Sequence, residues 1–410
     1  MQVRNQSYLR RKNKKSIIEL LRKRAQSYSD LARELKLSNT AIANIVDDLI
    51  EQGVVYREND AKGRGGIRLS INADFGYVIA VDFSRWEISF CAADFGSNIL
   101  VRRKSEGISF HKGDIARIIE IVREIMAEDA LKGRTLRCIS IATPGKIDRE
   151  SGKFILNPRF RELGSISLQT IFEEEFGCTV VVKNDINLAL LGEKMYGALQ
   201  DVENALMLHV DVGVGAALLI GGKVYEGAHG FAGEIGYFKL NMLLSDEDNY
   251  GNLSYANYFD STSLFSSLGI VKREISLGME SILCDRIAER GGTWDDLTVS
   301  DLIDAYREKD PLAVRVIHSA ARVIGTLAAS LSELLDVEKI VLTGSVVGFG
   351  EEYLRNMARL TGDCPIVFSE LEAKGIIMGA INAGIVAVFD DTLQQKRYDN
   401  ENIDNNGNNI

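Results

Sequence analysis

The chain has 410 residues, of which 46 % are hydrophobic and 26 % are charged. This composition is ordinary for a soluble globular protein, excludes a chain that is disordered throughout, and fits two or three domains. No apolar run reaches the roughly 18 residues that a membrane span needs. The basic segment at residues 1–15 lacks the apolar core of a secretory signal. We therefore expect a cytoplasmic protein with no membrane partner.

The formal net charge of −10 is unevenly distributed along the chain. Residues 1–70 carry 15 Lys and Arg against 8 Asp and Glu, whereas the remaining 340 residues carry 33 against 50. A basic segment on an acidic chain suits a polyanionic partner such as DNA, although a solvated basic terminus has the same composition. Five cysteines lie far apart without a C-x-x-C pair, which fits buried thiols in a reducing compartment.

Three short helical patterns occupy the first 53 residues. Residues 13–24 carry the first, and Ser29 can cap a second helix that contains Leu31. Ser38 can cap a third, whose apolar residues from Ile42 onward recur at i, i+3, i+4 and i+7. Only two residues separate the second and third helices, which is the spacing of a helix-turn-helix.

Two strand patterns, at 54–56 and 67–71, follow these helices and enclose a glycine-rich basic loop. This order predicts a winged helix-turn-helix at residues 1–72 that binds double-stranded DNA, the alternative being a protein-interaction module of the same shape. Small or polar residues at the start of the third helix suit base edges, and arginines in the wing suit a minor groove. The candidate DNA-binding residues are Ser38, Asn39, Thr40, Ala43, Asn44, Lys62, Arg64 and Arg68.

From residue 77 the apolar pattern changes to that of strands. Three strand patterns joined by short turns cover 77–104, and a helix at 113–130 and a strand at 136–142 follow them. The three-strand pattern recurs at 205–225. A unit that occurs twice predicts two similar α/β lobes with a ligand cleft between them. The polar segment at 391–410 is predicted to be disordered.

Two motifs in this region carry chemistry. Lys183–Asn187 follows an apolar strand and begins a helix, so that Asp185 can act as a general base, bind a sugar hydroxyl or cap the helix. Regularly spaced glycines between 213 and 236 indicate backbone close to a ligand or to another strand. The glycine pattern matches neither a Walker loop nor a dinucleotide-binding fingerprint.

These segments, with Thr143–Gly145 and Val341–Ser345, resemble the ROK family of sugar kinases and sugar-responsive repressors. The most specific matches are A-G-E-x-G from residue 232 and N-D-x-N from residue 184. The N-terminal segment resembles the winged helix of the family's xylose-repressor-like branch. The resemblance implies an α/β fold in which the winged helix precedes a two-lobed, ribonuclease-H-like (actin-like ATPase) domain. We expect lobe 1 at 73–185 plus about 376–390, and lobe 2 at 186–375.

The resemblance also implies a sugar pocket. In family kinases the residue matching Asp185 is the base, the one matching Asn184 binds the sugar, and the one matching Glu234 binds ring hydroxyls. Polar groups aimed at hydroxyls discriminate sugars, because a missing hydroxyl leaves them unpaired. His229 is either a pocket residue or a structural histidine. The candidate sugar-binding residues are Pro144, Gly145, Asn184, Asp185, His229, Glu234 and Tyr237.

The phosphate-binding loops depart from the family pattern. The first loop, D-x-G-G-T in the family, is Asp82-Phe83-Ser84-Arg85-Trp86 here, and the second, which normally begins G-T-G, is Asp211-Val212-Gly213. Lost glycines and an added carboxylate oppose ATP binding, so we expect no catalytic residue even though Asp185 matches the kinase base. Tyr237 replaces the family's zinc histidine, and the zinc cysteines are absent from 238–263, so we expect no metal and no cofactor.

These features together predict a repressor of transcription that binds a palindromic operator as a homodimer or homotetramer. A sugar or sugar derivative in the ROK cleft would be its effector. Two alternatives remain. One is an ATP-dependent sugar kinase with a DNA-binding arm, and the other is an interaction protein whose helical segment binds a protein partner.

Overall fold

The computed structural model describes residues 2–58, 67–84, 87–105, 112–148, 154–156, 167–211, 213–235 and 263–406. The chain divides into two compact units. The first comprises Met1–Lys183 together with Ala380–Ile410, and the second comprises Asn184–Gly379. The first unit is therefore discontinuous in sequence, because its last segment follows the whole of the second unit.

Three helices and three short strands form the N-terminal part of the first unit. In chain order they are α1 (Gln2–Lys23), β1 (Gln26–Ser27), α2 (Tyr28–Leu35), α3 (Asn39–Glu51), β2 (Val55–Glu58) and β3 (Arg68–Ile71). The strands pair antiparallel in the order β1-β3-β2. Each helix and β3 contribute fully buried apolar side chains, among them Ile17, Leu31, Ile42, Leu49 and Leu69. This is the predicted winged helix.

Side-chain caps fix where α2 and α3 begin. The Ser38 hydroxyl accepts a hydrogen bond from the Ala41 backbone N–H at 3.1 Å, as predicted. The prediction that Ser29 caps α2 is wrong, because Ser27 is the N-cap. Its hydroxyl accepts from the Asp30 N–H at 3.1 Å, while the Asp30 carboxylate accepts from the Ser27 N–H at 3.4 Å. Such a reciprocal box needs the two residues three apart, which selects Ser27 over Ser29.

The described residues between 77 and 184, all but the last of which belong to the first unit, form a five-stranded sheet, a two-stranded ribbon and two helices. These are β4 (Tyr77–Asp82), β5 (Ile88–Asp94), β6 (Ile99–Ser105), α4 (Lys112–Met126), β7 (Leu136–Thr143), β8 (Lys146–Ile147), β9 (Phe154–Leu156), α5 (Leu168–Phe176) and β10 (Thr179–Asn184). The large sheet has the order β10-β7-β4-β5-β6, with β4 parallel to β7 and antiparallel to β5. Every residue of β4 is buried, which fits a central strand covered on both faces.

The second unit contains a second five-stranded sheet. Its elements are α6 (Asp185–Tyr196), β11 (Ala205–Val210), β12 (Val214–Ile220), β13 (Lys223–Val224), α7 (Leu264–Ser276), α8 (Ile282–Arg290), α9 (Val299–Arg307), α10 (Pro311–Leu335), β14 (Lys339–Thr343), α11 (Glu351–Thr361), β15 (Ile366–Phe368) and the start of α12 (Lys374–Asn406). The sheet order is β13-β12-β11-β14-β15, and β14 runs parallel to both β11 and β15.

The two sheets repeat one arrangement. In each, the first strand (β4 or β11) is central, an antiparallel meander of two further strands lies on one side, and a parallel strand (β7 or β14) lies on the other. The meander predicted twice from the sequence is thus confirmed. This repeated strand order is that of the ribonuclease-H-like fold, to which the ROK resemblance pointed.

Helix α12 begins in the second unit and continues in the first. It extends to Asn406, so the prediction of disorder from residue 391 is wrong for residues 391–406. Extending an existing helix costs far less than nucleating one, and the apolar first half of α12 supplies the nucleus. Helix α10 and residues 374–393 of α12 would be long and apolar enough to cross a membrane, yet half of each is buried inside the protein, as in core helices of soluble proteins.

Candidate functional site

The start of α3 presents a polar face to solvent. Ile42, Ile45, Val46 and Leu49 are buried on one side of this helix. Four of the residues predicted here to contact DNA are exposed, namely Ser38, Asn39, Thr40 and Asn44. The fifth, Ala43, is half-buried. A helix anchored along one face with a polar face outward has the geometry of a helix that enters a major groove.

The wing residues are only partly described. Lys62 and Arg64 lie outside the described residues. Arg68, on β3, is exposed and donates a hydrogen bond to the Ala25 carbonyl oxygen at 2.5 Å. This bond holds β3 against the start of β1, so Arg68 has a structural partner within the winged helix.

Two acidic residues of α3 are paired with cations, which the sequence analysis did not anticipate. Arg57 pairs with Asp47, and Arg10 (at 3.1 Å) and Lys14 both pair with Asp48. Lys14 is 7 % exposed, so its contact with Asp48 ties α1 to α3 in a partly desolvated setting. These cations offset carboxylates that would otherwise repel a phosphate backbone. The partners lie ten to 38 residues apart in sequence, beyond the reach of local patterns.

The N-D-x-N motif lies at the junction of β10 and α6. The Asn184 side-chain oxygen accepts hydrogen bonds from the backbone N–H groups of Ile186 (3.0 Å) and Asn187 (3.1 Å), and Asn184 is therefore the N-cap. Asp185 is the first helical residue, is 9 % exposed, and its carboxylate lies 2.9 Å from the Ile186 nitrogen. A carboxylate at a helix N-terminus is stabilised in its charged form. Asp185 thus lies in the first turn of a helix whose cap another residue provides.

Asn187 has an unpaired polar atom in this motif. The residue is 7 % exposed, and its side-chain oxygen makes no hydrogen bond among the described residues. A buried amide oxygen without a donor costs about 1–3 kcal/mol. Such a cost is removed when a ligand hydroxyl or an ordered water donates to the oxygen. Sequence analysis treated Asn187 as part of the motif and assigned it no role.

The opposite end of α6 is anchored by Glu193, which has no exposed surface. One carboxylate oxygen accepts from the Ser369 hydroxyl (2.6 Å) and from the Leu371 N–H (2.8 Å). The other accepts from the Ala198 N–H at 2.7 Å. A fully buried carboxylate with three donors is satisfied, and it fixes α6 to the segment between β15 and α12.

Two glycines explain how the glycine-rich segment approaches α6. The Ala216 N–H donates to the Gly233 carbonyl at 2.9 Å, and a Cβ on Gly233 would lie 2.0 Å from the Ala216 oxygen. A Cβ on Gly215 would lie 2.3 Å from the end of the Ile186 side chain. Neighbouring positions at the start of β12 therefore contact Gly233, beside Glu234, and Ile186, beside Asp185. The structure brings these two carboxylate-bearing segments to the same end of one strand.

The described contacts say less about the roles of the other candidate sugar-binding residues. His229 is exposed, and its ring centroid lies 6.4 Å from that of Phe231. Pro144 and Gly145 follow β7 in the first unit, where Gly145 adopts a φ of +89°. Tyr237 lies outside the described residues.

A largely apolar cavity of about 260 Å³ lies within the second unit beside Glu234. Leucines of β11, β12 and the end of α10 form its walls together with Phe231, and Glu234 is the one charged residue among the described residues that line it. Sequence analysis missed this cavity, because residues from four separate segments create it.

An aspartate lies at the carboxyl end of each central strand, as the last residue of β4 and as the residue after β11. Asp82 is 6 % exposed and accepts from the Ser84 N–H at 2.8 Å. Asp211 follows β11 and accepts from the Ser345 hydroxyl, just after β14, at 2.9 Å. Arg85, Trp86 and Val212, which complete the altered loops, lie outside the described residues.

The described residues contain no group of three His, Cys, Asp or Glu side chains that could hold a metal. All five cysteines are free. Burial raises the pKa of Cys91 and Cys178 to about 11 and that of Cys138 still further, so these thiols stay protonated at neutral pH. Residues 237–262, where the resemblance places the zinc ligands of the ROK family, lie outside the described residues, and we assign no step to a zinc ion.

Comparison with known families agrees with this geometry. Residues 78–378 match the model described as ROK family, and residues 10–56 match that described as winged helix-turn-helix DNA-binding. The chain belongs to the ROK family. Its fold, a winged helix-turn-helix followed by a ROK domain of the actin-like class, is the one expected from the sequence.

Similar proteins include the xylose repressor of Caldicellulosiruptor bescii, 25 % identical over 96 % of this chain and 99 % of the relative. The N-acetylglucosamine repressor of Escherichia coli O6:H1 is 23 % identical, over 85 % of this chain and 86 % of the relative. Among solved structures, a ROK family transcriptional regulator described as a homologue of the E. coli MLC protein superposes with a TM-score of 0.80. It is 22 % identical, over 94 % of this chain and 98 % of that one.

Proposed function

We propose that this protein is a sugar-responsive transcriptional repressor. The observation that carries the proposal is the exposed polar start of α3, held by a serine cap and a buried apolar face, in a chain whose ROK domain keeps N-D-x-N and A-G-E-x-G. The first feature suits sequence-specific DNA, and the second suits a sugar. Relatives that match nearly the whole chain carry the name repressor, which supports the same conclusion.

The effector site that we propose contains Asn184, Asp185 and Glu234, with contributions from Pro144, Gly145, His229 and Tyr237. The carboxylates of Asp185 and Glu234, near the start of β12, would accept hydrogen bonds from ring hydroxyls, while the Asn184 side-chain oxygen caps α6. A sugar lacking one of these hydroxyls would leave a buried acceptor unpaired, which gives selectivity. The names of the relatives nominate D-xylose and N-acetylglucosamine as the first sugars to test.

The DNA site that we propose combines the start of α3 with Lys62, Arg64 and Arg68 of the wing. Helix residues would contact base edges in a major groove, and the wing arginine would enter a minor groove. A homodimer or homotetramer would pair two such modules on a palindromic operator.

We also propose a cytoplasmic location, a winged helix at 1–72, and a ROK domain in two lobes. The first lobe would comprise residues 73–185 and about 376–390, and the second would comprise residues 186–375.

We further propose that the protein is not a kinase. Phosphoryl transfer depends on positioning of the triphosphate. The second loop begins with Asp211, whose carboxylate would repel phosphates, and residues 84–86 of the first loop contain no glycine. The ATP-dependent sugar kinase is the alternative that detectable turnover would restore.

The test is to incubate the purified protein with sheared genomic DNA and to sequence the retained fragments. The incubation is done with no sugar, with D-xylose and with N-acetylglucosamine. We expect a few fragments that share an inverted repeat, with retention altered by one sugar. Absence of enrichment in every condition would contradict a DNA-binding repressor. A steep fall of log affinity with log salt distinguishes phosphate contacts from a protein interface.

Matched variants locate the two sites. Arg64→Ala should weaken operator binding without altering sugar binding, and Arg24→Ala, which removes another arginine of the module, is its control. Asp185→Asn and Glu234→Ala should abolish the sugar response and leave sugar-free operator affinity unchanged. Normal responses from both of the latter variants would show that the pocket lies elsewhere.

A further inference from the structure

Within the second unit, the backbones of α6 and α12 are in direct contact. A Cβ on Gly192 would lie 2.3 Å from the Gly375 carbonyl oxygen, and a Cβ on Gly379 would lie 1.8 Å from the Leu188 oxygen. Glu193 adds two hydrogen bonds from α6 to the segment that leads into α12. No side chain separates the two helices at these glycines, so there is little room for α6 to shift against the first turns of α12.

Within the first unit, the continuation of α12 packs on the winged helix. Asp390 accepts hydrogen bonds from the Lys15 ammonium at 2.9 and 3.0 Å, and Arg22 donates to the side-chain oxygen of Asn382, a residue only 2 % exposed. Both cations lie on α1. The two contacts are spaced by eight residues of α12 and seven of α1, about two helical turns, so they hold the helices together along their length.

An aromatic cluster adds an apolar contact at the same place. Phe389 of α12 lies 5.3 Å from Phe95 and 6.2 Å from Phe75, measured between ring centroids. Phe75 belongs to the short turn that joins β3 to β4, the point where the winged helix meets the following sheet. Phe389 of α12 therefore packs beside the linker that follows the DNA-binding module.

Helix α1 is in turn bound to α3. Lys14, next to Lys15, pairs with Asp48, and Arg10 pairs with the same carboxylate at 3.1 Å. Asp48 lies one helical turn from Asn44, a residue proposed to read the operator. A continuous series of contacts thus runs from α6, which begins with the sugar motif, through α12 and α1 to α3.

We propose that α12 is the element through which the effector controls the DNA-reading helix. The proposal rests on the function proposed above and adds the route and the residues. A sugar that favours one position of α6 would bias the position of α12, and the Lys15, Arg22 and Phe389 contacts would carry that bias to α1 and α3. Such coupling needs only a difference in sugar affinity between two arrangements, and typical allosteric couplings are 5- to 150-fold in affinity.

The test uses charge reversal in the full-length protein, with the operator fragment recovered above and D-xylose or N-acetylglucosamine as the probe sugar. The measured quantity is the ratio of operator Kd with and without sugar. Lys15→Asp and Asp390→Lys should each reduce that ratio at least threefold towards one. The double variant restores an attractive pair and should return the ratio to within twofold of wild type. Lys104→Asp is the control. It breaks an ion pair with Glu87 in which neither residue lies on α1 or α12, and it should leave the ratio unchanged.

Gly379→Ala tests the other end of the route. Its methyl group would force α6 and α12 apart, and the residue is far in sequence from the winged helix. We expect sugar-free operator affinity within threefold of wild type, sugar binding detectable by calorimetry, and a sugar effect on the operator reduced at least threefold. The backbone clash should lower the melting temperature, and a single cooperative unfolding transition confirms that the variant is folded.

The outcomes separate the two proposals. If neither sugar binds the wild type or changes its operator affinity, the proposed function fails and the route fails with it. If the wild type responds and Gly379→Ala and the single charge reversals respond equally well, the function stands and the route through α12 is overturned. If the single variants lose the sugar effect on operator affinity and the double variant does not recover it, the Lys15–Asp390 contact is not part of the route.

Discussion

The Ser345 hydroxyl donates a hydrogen bond of 2.9 Å to the Asp211 carboxylate, joining the carboxyl end of β14 to that of β11. In a ROK kinase a glycine-led phosphate loop would begin at position 211. Here an anion occupies the position and is held by a neighbouring strand. Two unit charges 4 Å apart repel by about 1 kcal/mol in water and about 4 kcal/mol near a protein surface. On the proposal that this protein is not a kinase, this pair would oppose nucleotide binding.

We predict that neither the wild type nor Asp211→Asn phosphorylates D-xylose or N-acetylglucosamine in the presence of MgATP. The asparagine still accepts from Ser345 and removes the charge, but residues 84–86 still lack the glycine pair of the first loop. Release of ADP in a coupled assay is the measurement. Sugar-dependent turnover by the wild type would contradict the repressor assignment and favour the kinase.

Asn44→Ala should weaken operator binding by about 1–3 kcal/mol, or roughly 5- to 150-fold in Kd, because an asparagine reading a base edge contributes this much. The slope of log Kd against log salt should stay the same, since no phosphate contact is lost. Asn13→Ala, on α1 of the same module, is the control. Equal Kd values for both variants would remove Asn44 from the interface.

Asn187→Leu separates a sugar contact from a structural amide. Removing an unpaired buried oxygen should leave the melting temperature unchanged or raise it. If a sugar hydroxyl donates to that oxygen, the affinity for whichever of D-xylose and N-acetylglucosamine binds the wild type should fall at least tenfold. Calorimetry measures this affinity. Ser267→Ala removes another unpaired buried oxygen of the second unit and should leave affinity unchanged. Wild-type affinity in Asn187→Leu would assign the amide a packing role alone.

Glu193→Gln should destabilise the second unit by about 1–3 kcal/mol. The carboxylate accepts hydrogen bonds from three donors, and the amide nitrogen of glutamine, itself a donor, would face at least one of them. Thermal and urea unfolding at pH 7 give the measurement. Glu203→Gln, which affects an exposed ion pair with Lys194, should change stability by less than about 1 kcal/mol. A Glu193→Gln midpoint equal to wild type would refute the anchoring role.

Acid should weaken the contact between α8 and α9. Burial raises the pKa of Asp301, but hydrogen bonds from Arg290 and Thr298 outweigh it and bring the pKa to about 2, below the ordinary 3.8. A lowered folded-state pKa stabilises the protein above about pH 4, and this contribution is lost as the pH falls towards 2. Because Arg290 is 57 % exposed, we expect about 1–2 kcal/mol at pH 7.

Asp301→Asn tests this titration. The melting temperature of the variant should lie below that of the wild type at pH 7, and the difference should shrink as the pH falls from 4 towards 2. A difference that is constant between pH 7 and pH 2.5 would show that the carboxylate charge makes no contribution.

Local patterns in the sequence predicted the features that depend on neighbouring residues. The Ser38 cap, the apolar face of α3 and the twice-repeated meander follow from residues a few positions apart. The N-D-x-N motif was likewise placed correctly at a strand–helix junction. Even here the prediction that Ser29 caps α2 was wrong, because the cap at Ser27 depends on a reciprocal hydrogen bond with Asp30 that apolar periodicity does not report.

Contacts between distant segments could not be predicted in this way. Asp390 meets Lys15 across 375 positions, and Asp48 meets Arg10 across 38. A charged residue on a helix surface has many possible partners, and only the packed structure selects one. For the same reason the sequence did not predict the role of Glu193, whose hydrogen-bond donors lie just after α6 and just before α12. Nor did it predict the cavity beside Glu234.

The interruption of the first unit by the second has a consequence for synthesis on the ribosome. Residues 184–379 are continuous and can fold as soon as they emerge, whereas the first unit lacks the α12 contacts to Lys15, Arg22 and Phe75 until residues 380–390 have been translated. Closing so long a loop is a late event in folding. A nascent chain therefore carries its winged helix before the part of α12 that packs on α1 has been made, and we expect truncated products to bind operator DNA without a response to sugar.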